Sequence, residues 1–145
     1  MKTAVVVFPG SNCDRDVQRA VSETLKTSVD MVWHEETEFA SKPDLVILPG
    51  GFSYGDYLRC GAMAARSPII DAVKKHAEAG GLLLGICNGF QVLTETRLLP
   101  GALLANTTTT FICKKCYIRV EQTDNFFTHG LKKGEVVEYP IAHHE

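Results

Sequence analysis

The sequence lacks an excess of charge of either sign. Its 145 residues include 15 Lys and Arg against 17 Asp and Glu, so the formal net charge at pH 7 is only -2. No cluster of Lys and Arg marks one stretch of the chain as a phosphate-binding surface. The charge balance therefore excludes nucleic acid as an expected partner.

The sequence also lacks apolar runs long enough to cross a membrane. The longest of them, such as residues 3–8, are far shorter than the roughly 20 residues that a bilayer-spanning helix needs. Residues 1–10 contain one Lys and a short apolar run, but they lack the full hydrophobic region and the cleavage site of a signal peptide. We therefore expect no membrane contact, and a cytoplasmic protein that begins with a strand.

A regular cysteine pattern is missing as well. The five cysteines do not have the spacing of a disulfide scaffold, and reduced thiols in the cytosol are the simpler interpretation. Cys113 and Cys116 form a C-x-x-C pair, yet no second pair and no suitably spaced histidines complete a zinc site. The sequence therefore predicts no bound metal.

The sequence does contain alternating short apolar and amphipathic segments. Four strand-like segments precede Pro100, at residues 4–8, 29–33, 44–48 and 82–86. Three segments with helical spacing of apolar residues accompany them, at residues 14–25, 67–79 and 88–96. This order predicts an α/β, Rossmann-like fold in which a mostly parallel sheet has helices on both faces.

Beyond Pro100 the character of the sequence changes. Residues 111–120 and 135–141 are strand-like and have no strong helical segment between them, which indicates antiparallel strands toward the C-terminus. We expect residues 1–145 to form one domain with a single core. In a parallel sheet of this kind, ligands bind at the carboxyl ends of the strands.

One cysteine stands directly after the fourth strand-like segment. Gly85, Cys87 and Gly89 fit the pattern G-x-nucleophile-x-G, in which a strand turns sharply into a helix and displays one side chain above the sheet. Glycines at both flanks relieve the crowding of such a turn. A helix N-terminus favours the thiolate, and the N–H groups that follow can stabilise an oxyanion. We interpret Cys87 as a nucleophile; the alternative is a buried cysteine that fills space.

A glycine-rich segment follows the third strand-like segment. It reads PGGFSYG at residues 49–55, and glycines allow backbone amides to approach a ligand closely. One such amide, together with the amide after Cys87, would form an oxyanion hole with two donors. The alternative is a simple flexible turn.

Six segments together carry a resemblance to a known family. They are PGSNCD at 9–14, WHEE at 33–36, PGGFSYGDYLR at 49–59, GICNGFQ at 85–91, FICK at 111–114 and PIAH at 140–143. In these segments the chain resembles the class I, or triad, glutamine amidotransferases, and within them the glutaminase subunits of phosphoribosylformylglycinamidine synthase. The resemblance runs the whole length of the chain. GICNGFQ is typical of the class, whereas PGGFSYGDYLR and PGSNCD are specific to these subunits.

The resemblance implies a flavodoxin-like amidotransferase fold and the hydrolysis of glutamine to glutamate and ammonia. It implies that Cys87 attacks the side-chain amide of glutamine, while Gly51 and Asn88 donate backbone hydrogen bonds to the oxyanion. Gly50 and Gln91 would help to hold the glutamine.

The resemblance also implies partners. A synthetase subunit would use ATP and Mg²⁺ to convert formylglycinamide ribonucleotide to its amidine in purine biosynthesis, and a small third subunit would complete the complex. It implies no cofactor for this chain itself.

The base of the family is missing from the sequence. The resemblance implies a histidine in an H-P-E segment, which exchanges a proton with the thiol and the leaving ammonia, and no such segment occurs in residues 1–145. We therefore expect a chain that is truncated at its C-terminus and inactive alone. His143, His144 and Glu145 offer a His-x-Glu spacing as an alternative, but they align with the PIAH segment upstream of the family's pair.

Several other residues are candidates for a functional role. Three histidines outside the tail are interpreted as structural: His34, His76 and His129. Asp14, Asp56 and Arg59 lie in family-like loops, where Arg59 would either dock the synthetase or form an ordinary surface ion pair.

Two alternative functions stay open. A DJ-1/PfpI-like cysteine hydrolase shares the turn around Cys87, although PGGFSYGDYLR disfavours it. A non-catalytic interaction module would keep the fold and the docking loops, and the missing H-P-E segment favours it.

Overall fold

The computed structural model describes residues 1–144 of the chain. The chain consists of two compact units, Met1–Leu103 and Leu104–Glu145. The first unit contains four strands, three α-helices and two short 3-10 helices, Ser53–Asp56 and Ala64–Arg66, and the described residues of the second contain two strands. The sites predicted around Gly50, Gly51 and Cys87 all belong to the first unit.

The first unit is built on a parallel sheet. Its strands are β1 (Thr3–Val7), β2 (Val29–Trp33), β3 (Leu45–Leu48) and β4 (Leu82–Gly85), and they pair in the order β2-β1-β3-β4. In the register of this sheet, Val5 pairs with Met31 and Ile47 on its two neighbours, and Leu48 pairs with Gly85. The structure confirms the parallel sheet that the sequence predicts.

Three helices cover both faces of this sheet: α1 (Asp14–Leu25), α2 (Ile69–Glu78) and α3 (Asn88–Glu95). Because successive side chains of a strand point to opposite faces, Val5 packs against Val17 of α1 while Val6 packs with α2 and α3 on the other face. A strand buried on both faces must be apolar at nearly every position, which explains the unbroken run of β1. The predicted α/β arrangement is therefore confirmed.

The larger of the two cores lies between the sheet and α2 and α3. Ile69, Ile70 and Val73 of α2 are almost fully buried there. Each such side chain stabilises the fold by about 1.5–3 kcal/mol through removal of apolar surface from water. This packing holds α2 and α3 in fixed positions beside the carboxyl ends of β3 and β4.

The second unit contains an antiparallel pair. Strands β5 (Ile112–Arg119) and β6 (Val136–His143) pair along their whole lengths, from Ile112 opposite His143 to Arg119 opposite Val136. This confirms the antiparallel strands predicted toward the C-terminus.

None of the helices within residues 1–144 has the length and apolar character that crossing a membrane requires.

Candidate active site

Cys87 occupies a sharp turn between β4 and α3. The strand ends at Gly85 and the helix begins at Asn88. Cys87 itself has φ 50° and ψ -109°, a backbone conformation that residues with side chains rarely adopt and that costs on the order of 1–3 kcal/mol. Its side chain is exposed, so the alternative of a buried, space-filling cysteine is wrong.

The two glycines that flank this turn are required by close packing. A side-chain carbon on Gly89 would collide with the carbonyl oxygen of Leu48 in β3. A side-chain carbon on Gly85 would lie 2.6 Å from Cδ1 of Leu93 and 2.8 Å from the backbone of Gly89. Because both glycines lie where α3 crosses the sheet, their lack of a side chain lets the helix start directly above the strand.

Two hydrogen bonds fix the turn to the sheet. The N–H of Ile86 donates to the carbonyl of Leu48 at 3.0 Å, which continues the ladder between β3 and β4 by one residue. The N–H of Gly89 donates to the carbonyl of Ile86 at 2.8 Å, which closes the turn around Cys87. The exposed thiol is thus displayed from a rigid backbone.

The glycine-rich segment after β3 lies beside the thiol. A side-chain carbon on Gly50 would be 3.3 Å from Cβ of Cys87 and 3.8 Å from Cβ of Cys13. Gly51 has φ 114°, and a side-chain carbon there would lie 2.7 Å from the backbone nitrogen of Asn12. The glycine-rich segment therefore lies beside Cys87 in the structure, and glycine is needed at Gly51 for space, whereas a side chain at Gly50 would make a tight contact.

A third loop, which follows β1, contacts the glycine-rich segment beside Cys87. The hydroxyl of Ser11 donates a hydrogen bond to the carbonyl of Gly50 at 3.0 Å, and the N–H of Tyr54 donates to the carbonyl of Pro9 at 2.6 Å. Cys13, at the start of α1, lies next to Gly50. The sequence pattern did not predict that Cys13 lies next to Gly50, because PGSNCD was recognised only as a family-like segment. The one feature that could have indicated it is the position of PGSNCD directly after a buried strand.

The environment of Cys13 differs from that of an ordinary thiol. Its partial burial raises the pKa of the Cys13 thiol, and the negative charges of Asp16, Cys87 and Asp14 raise it further. A thiol with a raised pKa stays protonated at neutral pH and is a poor nucleophile. Cys13 is therefore poorly suited to act as a nucleophile.

The side chain of Asn88 connects the turn to the glycine-rich segment. Its Oδ1 accepts hydrogen bonds from the N–H of Ser53 at 3.2 Å and from the Ser53 hydroxyl at 2.5 Å. Its Nδ2 donates to Oδ1 of Asp56 at 3.0 Å and to Oε1 of Gln91 at 2.9 Å. Gln91, which the resemblance assigns to glutamine binding, is buried and is joined to Asn88.

The far end of the glycine-rich segment is held by a histidine. The Tyr54 hydroxyl lies 2.9 Å from Nδ1 of His34 and 3.2 Å from the Ser67 hydroxyl. His34 is buried at the end of β2, so it fills a structural place in this part of the chain, as expected.

Neither histidine of the first unit lies beside Cys87. His34 follows β2, which is three strands from β4, and neighbouring strands are about 4.8 Å apart. His76 bonds through Nε2 to the carbonyl of Leu82 at 2.9 Å, at the opposite end of β4 from the thiol. Both histidines therefore have structural partners away from the nucleophile.

The other histidines belong to the second unit. Nδ1 of His129 lies 2.7 Å from the carbonyl of Phe126, and the ring of His144 contacts Phe111. Nδ1 of His143 is buried and has no hydrogen-bond partner among the described residues. Glu145, the last member of the tail alternative, lies outside the described residues.

The C-x-x-C pair lies on β5, where Cys113 is exposed and Cys116 is half-buried. Residues three apart on a strand point to opposite faces, so the two thiols cannot converge on one ion. In the part of the chain that the structure describes, no three side chains of His, Cys, Asp or Glu come together as a metal site.

Arg59 forms a two-pronged ion pair with Glu95 at the end of α3. Its Nε lies 2.8 Å from Oε1, and its second terminal nitrogen lies 2.6 Å from Oε2. The hydrogen bond from Arg59, together with its charge, lowers the pKa of the Glu95 carboxyl against the opposing effect of burial. The surface ion pair considered for Arg59 is present in the structure, and its role in docking a synthetase stays a prediction.

Replacing Arg59 by glutamine should lower the free energy of unfolding at pH 7 by about 0.5–1 kcal/mol, since the pair is partly exposed. Because the pKa of Glu95 is lowered by folding, the stabilisation is complete above the unfolded pKa of about 4.3 and is lost as the pH falls through the folded value. Urea unfolding of both proteins from pH 7 to pH 3 measures this. The difference should shrink on acidification, and a difference that grows would contradict it.

Arg19→Gln is the matched control for this measurement. Arg19 pairs with Glu23 along α1, and both side chains are largely exposed. We expect its effect on stability to stay below about 0.5 kcal/mol.

Comparison with known proteins places this site in a wider group. All of residues 1–145 match the model of a CobB/CobQ-like glutamine amidotransferase domain. The chain is 56% identical over 145 residues to the phosphoribosylformylglycinamidine synthase subunit PurQ of Rhodopseudomonas palustris, and 58% identical to that of a Ruegeria species. It spans 62% and 65% of the lengths of these two relatives.

A solved structure is similar throughout. It is the structure of PurLQS from Thermotoga maritima, with a TM-score of 0.84 and 47% sequence identity. The likeness covers 99% of this chain and 66% of the chain in that structure.

Proposed function

Because this chain belongs to the CobB/CobQ-like glutamine amidotransferase family, we propose that it carries the glutaminase site of a phosphoribosylformylglycinamidine synthase. The observation that carries the proposal is the exposed thiol of Cys87 on a strained turn between β4 and α3, directly beside Gly50. The high identity to subunits named PurQ supports the choice of synthase.

In the proposed reaction, the sulfur of Cys87 attacks the side-chain carbonyl carbon of glutamine. The C=O electron pair moves to the oxygen, and this oxyanion accepts hydrogen bonds from the backbone N–H groups of Gly51 and Asn88. Collapse of the intermediate expels ammonia and leaves a glutamyl thioester, which water hydrolyses to glutamate. In support, the N–H groups of Gly51 and Asn88 make no hydrogen bond to other described residues.

Gly50 and Gln91 have different parts in this proposal. The missing side chain of Gly50 leaves room for the substrate between Cys13 and Cys87. Gln91 is buried and joined to Asn88, which supports a role at the floor of the glutamine site.

A proton carrier is also needed, because the thiol must lose a proton and ammonia must gain one. We propose that residues 1–145 alone do not turn over glutamine. The structural partners of His34 and His76, the two histidines within Met1–Leu103, support this.

The ammonia is proposed to pass to a synthetase subunit, which uses ATP and Mg²⁺ to convert formylglycinamide ribonucleotide to its amidine. The likeness to the solved structure of PurLQS supports such a partner and a small third subunit.

We propose no cofactor for this chain, no nucleic-acid or membrane partner, and a cytoplasmic location. The five free cysteines within residues 1–144 agree with that location. We further propose that the two units form parts of one amidotransferase domain, since the family match spans both.

The test compares residues 1–145 with a chain extended through the H-P-E segment, each mixed with the synthetase and third subunit, ATP, Mg²⁺ and formylglycinamide ribonucleotide. We expect glutamate release and amidine formation from glutamine only with the extended chain. Amidine formation from added ammonia should occur with both. Absence of glutamate release from the extended assembly, with the ammonia reaction intact, would instead support a non-catalytic interaction module.

A further inference from the structure

We propose that the side chain of Asn88 is a positioning residue, which fixes the segment Ser53–Asp56 against the Cys87 turn and so holds the Gly51 amide in place. This rests on the proposed glutaminase function and adds to it, because the oxyanion role uses only the backbone N–H of Asn88. The side chain does not touch the reacting atoms; it acts through the loop.

The first support is the saturation of this side chain. Asn88 is 2% exposed, and its carboxamide makes four hydrogen bonds, two at the oxygen and two at the nitrogen. Three of the four go to Ser53 and Asp56, which lie two and five residues after Gly51. A carboxamide on this short stem has the acceptor and the two donors that these partners require.

The second support is the conformation of residues 52–58, the loop that contains the segment Ser53–Asp56. Tyr54, Asp56 and Leu58 have positive φ values of 53°, 55° and 70°, which residues with side chains adopt at a cost. Phe52, Tyr57 and Leu58 are exposed, so little apolar burial holds them. Polar contacts therefore contribute much to holding this segment, and those of Asn88 join Ser53 and Asp56 to the start of α3.

The consequence concerns the transition state more than glutamine binding. An oxyanion hole works when its donors are already aimed at the position where charge develops. Asn88 carries one donor on its backbone and, through Ser53, restrains the segment that carries the other. Loosening this connection would misalign the two donors and lower kcat, while leaving the ground-state contacts of glutamine largely intact.

The network permits a reciprocal exchange as a test. Asn88→Asp keeps the size and the acceptor for Ser53, but it removes both donors and places a carboxylate against that of Asp56. Adding Asp56→Asn restores a donor at that contact, and Gln91 can turn its amide to donate its N–H. Asn also tolerates the positive φ of position 56.

The experiment measures kcat and KM for glutamate release in the assembled complex with the extended chain. Asn88→Asp should lower kcat about 100-fold, as expected for a misplaced oxyanion donor, with KM changed far less. The double variant, Asn88→Asp with Asp56→Asn, should have a kcat at least about tenfold higher than that of Asn88→Asp alone. Asn125→Asp is the matched control, since Asn125 makes similar hydrogen bonds in the second unit, and its kcat should equal that of the wild type.

Amide hydrogen exchange of residues 49–58 separates this proposal from the glutaminase function. Exchange should rise in Asn88→Asp and fall again in the double variant, whether or not the complex hydrolyses glutamine. If the wild-type complex releases no glutamate, the function fails and the exchange data alone decide the positioning role. A double variant as impaired as Asn88→Asp, or exchange unchanged in Asn88→Asp, would overturn the proposal.

Ser53→Ala covers the case in which Asn88→Asp does not fold. It removes one of the two donors from Ser53 to Asn88 and leaves the other in place. We expect a smaller fall in kcat and a smaller rise in exchange of residues 49–58. Wild-type values for both would overturn the proposal.

Discussion

We expect Cys87→Ser to lower kcat for glutamate release by more than about a thousandfold. The measurement uses the assembled complex with the extended chain. A serine hydroxyl has nearly the same size as the thiol but is a far weaker nucleophile without a strong base. Because the side chain is exposed, the free energy of unfolding should change by less than about 0.5 kcal/mol. The loss would therefore be chemical and not structural.

Two controls accompany this prediction. Cys113→Ser removes another exposed thiol, on β5 in the second unit, and should leave glutamate release unchanged. The ammonia-dependent reaction of the synthetase should be the same with Cys87→Ser as with the wild type. Retention of more than a tenth of the glutamate release by Cys87→Ser would mean that Cys87 is not the nucleophile.

Gly89→Ala is expected to destabilise the first unit by about 3 kcal/mol, at the upper end of what overpacking usually costs. The added methyl group would collide with the backbone carbonyl of Leu48, and a strand backbone cannot move away as a flexible side chain can. That same carbonyl accepts the hydrogen bond from Ile86 that fixes the Cys87 turn. Urea unfolding of the wild type and the variant measures the loss.

Gly130→Ala serves as the control for Gly89→Ala. A side-chain carbon on Gly130 would meet no atom of the described residues within 4 Å apart from its two chain neighbours, so its effect should stay within about 0.5 kcal/mol. An unchanged unfolding midpoint for Gly89→Ala would show that α3 does not pack on β3 as closely as described.

Local sequence patterns were sufficient to predict most of the fold and the Cys87 turn. The apolar period is two residues in a strand and three to four in a helix, and the G-x-nucleophile-x-G pattern spans five residues. All of these patterns are short-range, so they can be recognised from neighbouring residues. The uninterrupted apolar run of β1 correctly indicated a strand buried on both faces. The sequence argument on the C-x-x-C pair rested on missing partners, and strand geometry adds that Cys113 and Cys116 lie three apart on β5 and so point to opposite faces.

The contacts that complete the candidate site could not be predicted in this way. Cys13 lies beside Gly50 because β1 and β3 are neighbours in the sheet, and strand order is a property of the whole fold. The bonds between Asn88 and Ser53 join residues 35 positions apart. Nothing in the local sequence distinguishes Asn88 as a side chain that holds a loop from Asn88 as a residue that merely starts a helix.

The positive φ of Cys87 also bears on how this position evolves. Glycine adopts such a backbone at little cost, and one base change converts a cysteine codon into a glycine codon. Mutation therefore readily supplies a residue that suits the turn better than cysteine does. If the thiol is required, selection for activity must continually remove glycine variants at position 87, although glycine would make the turn more stable.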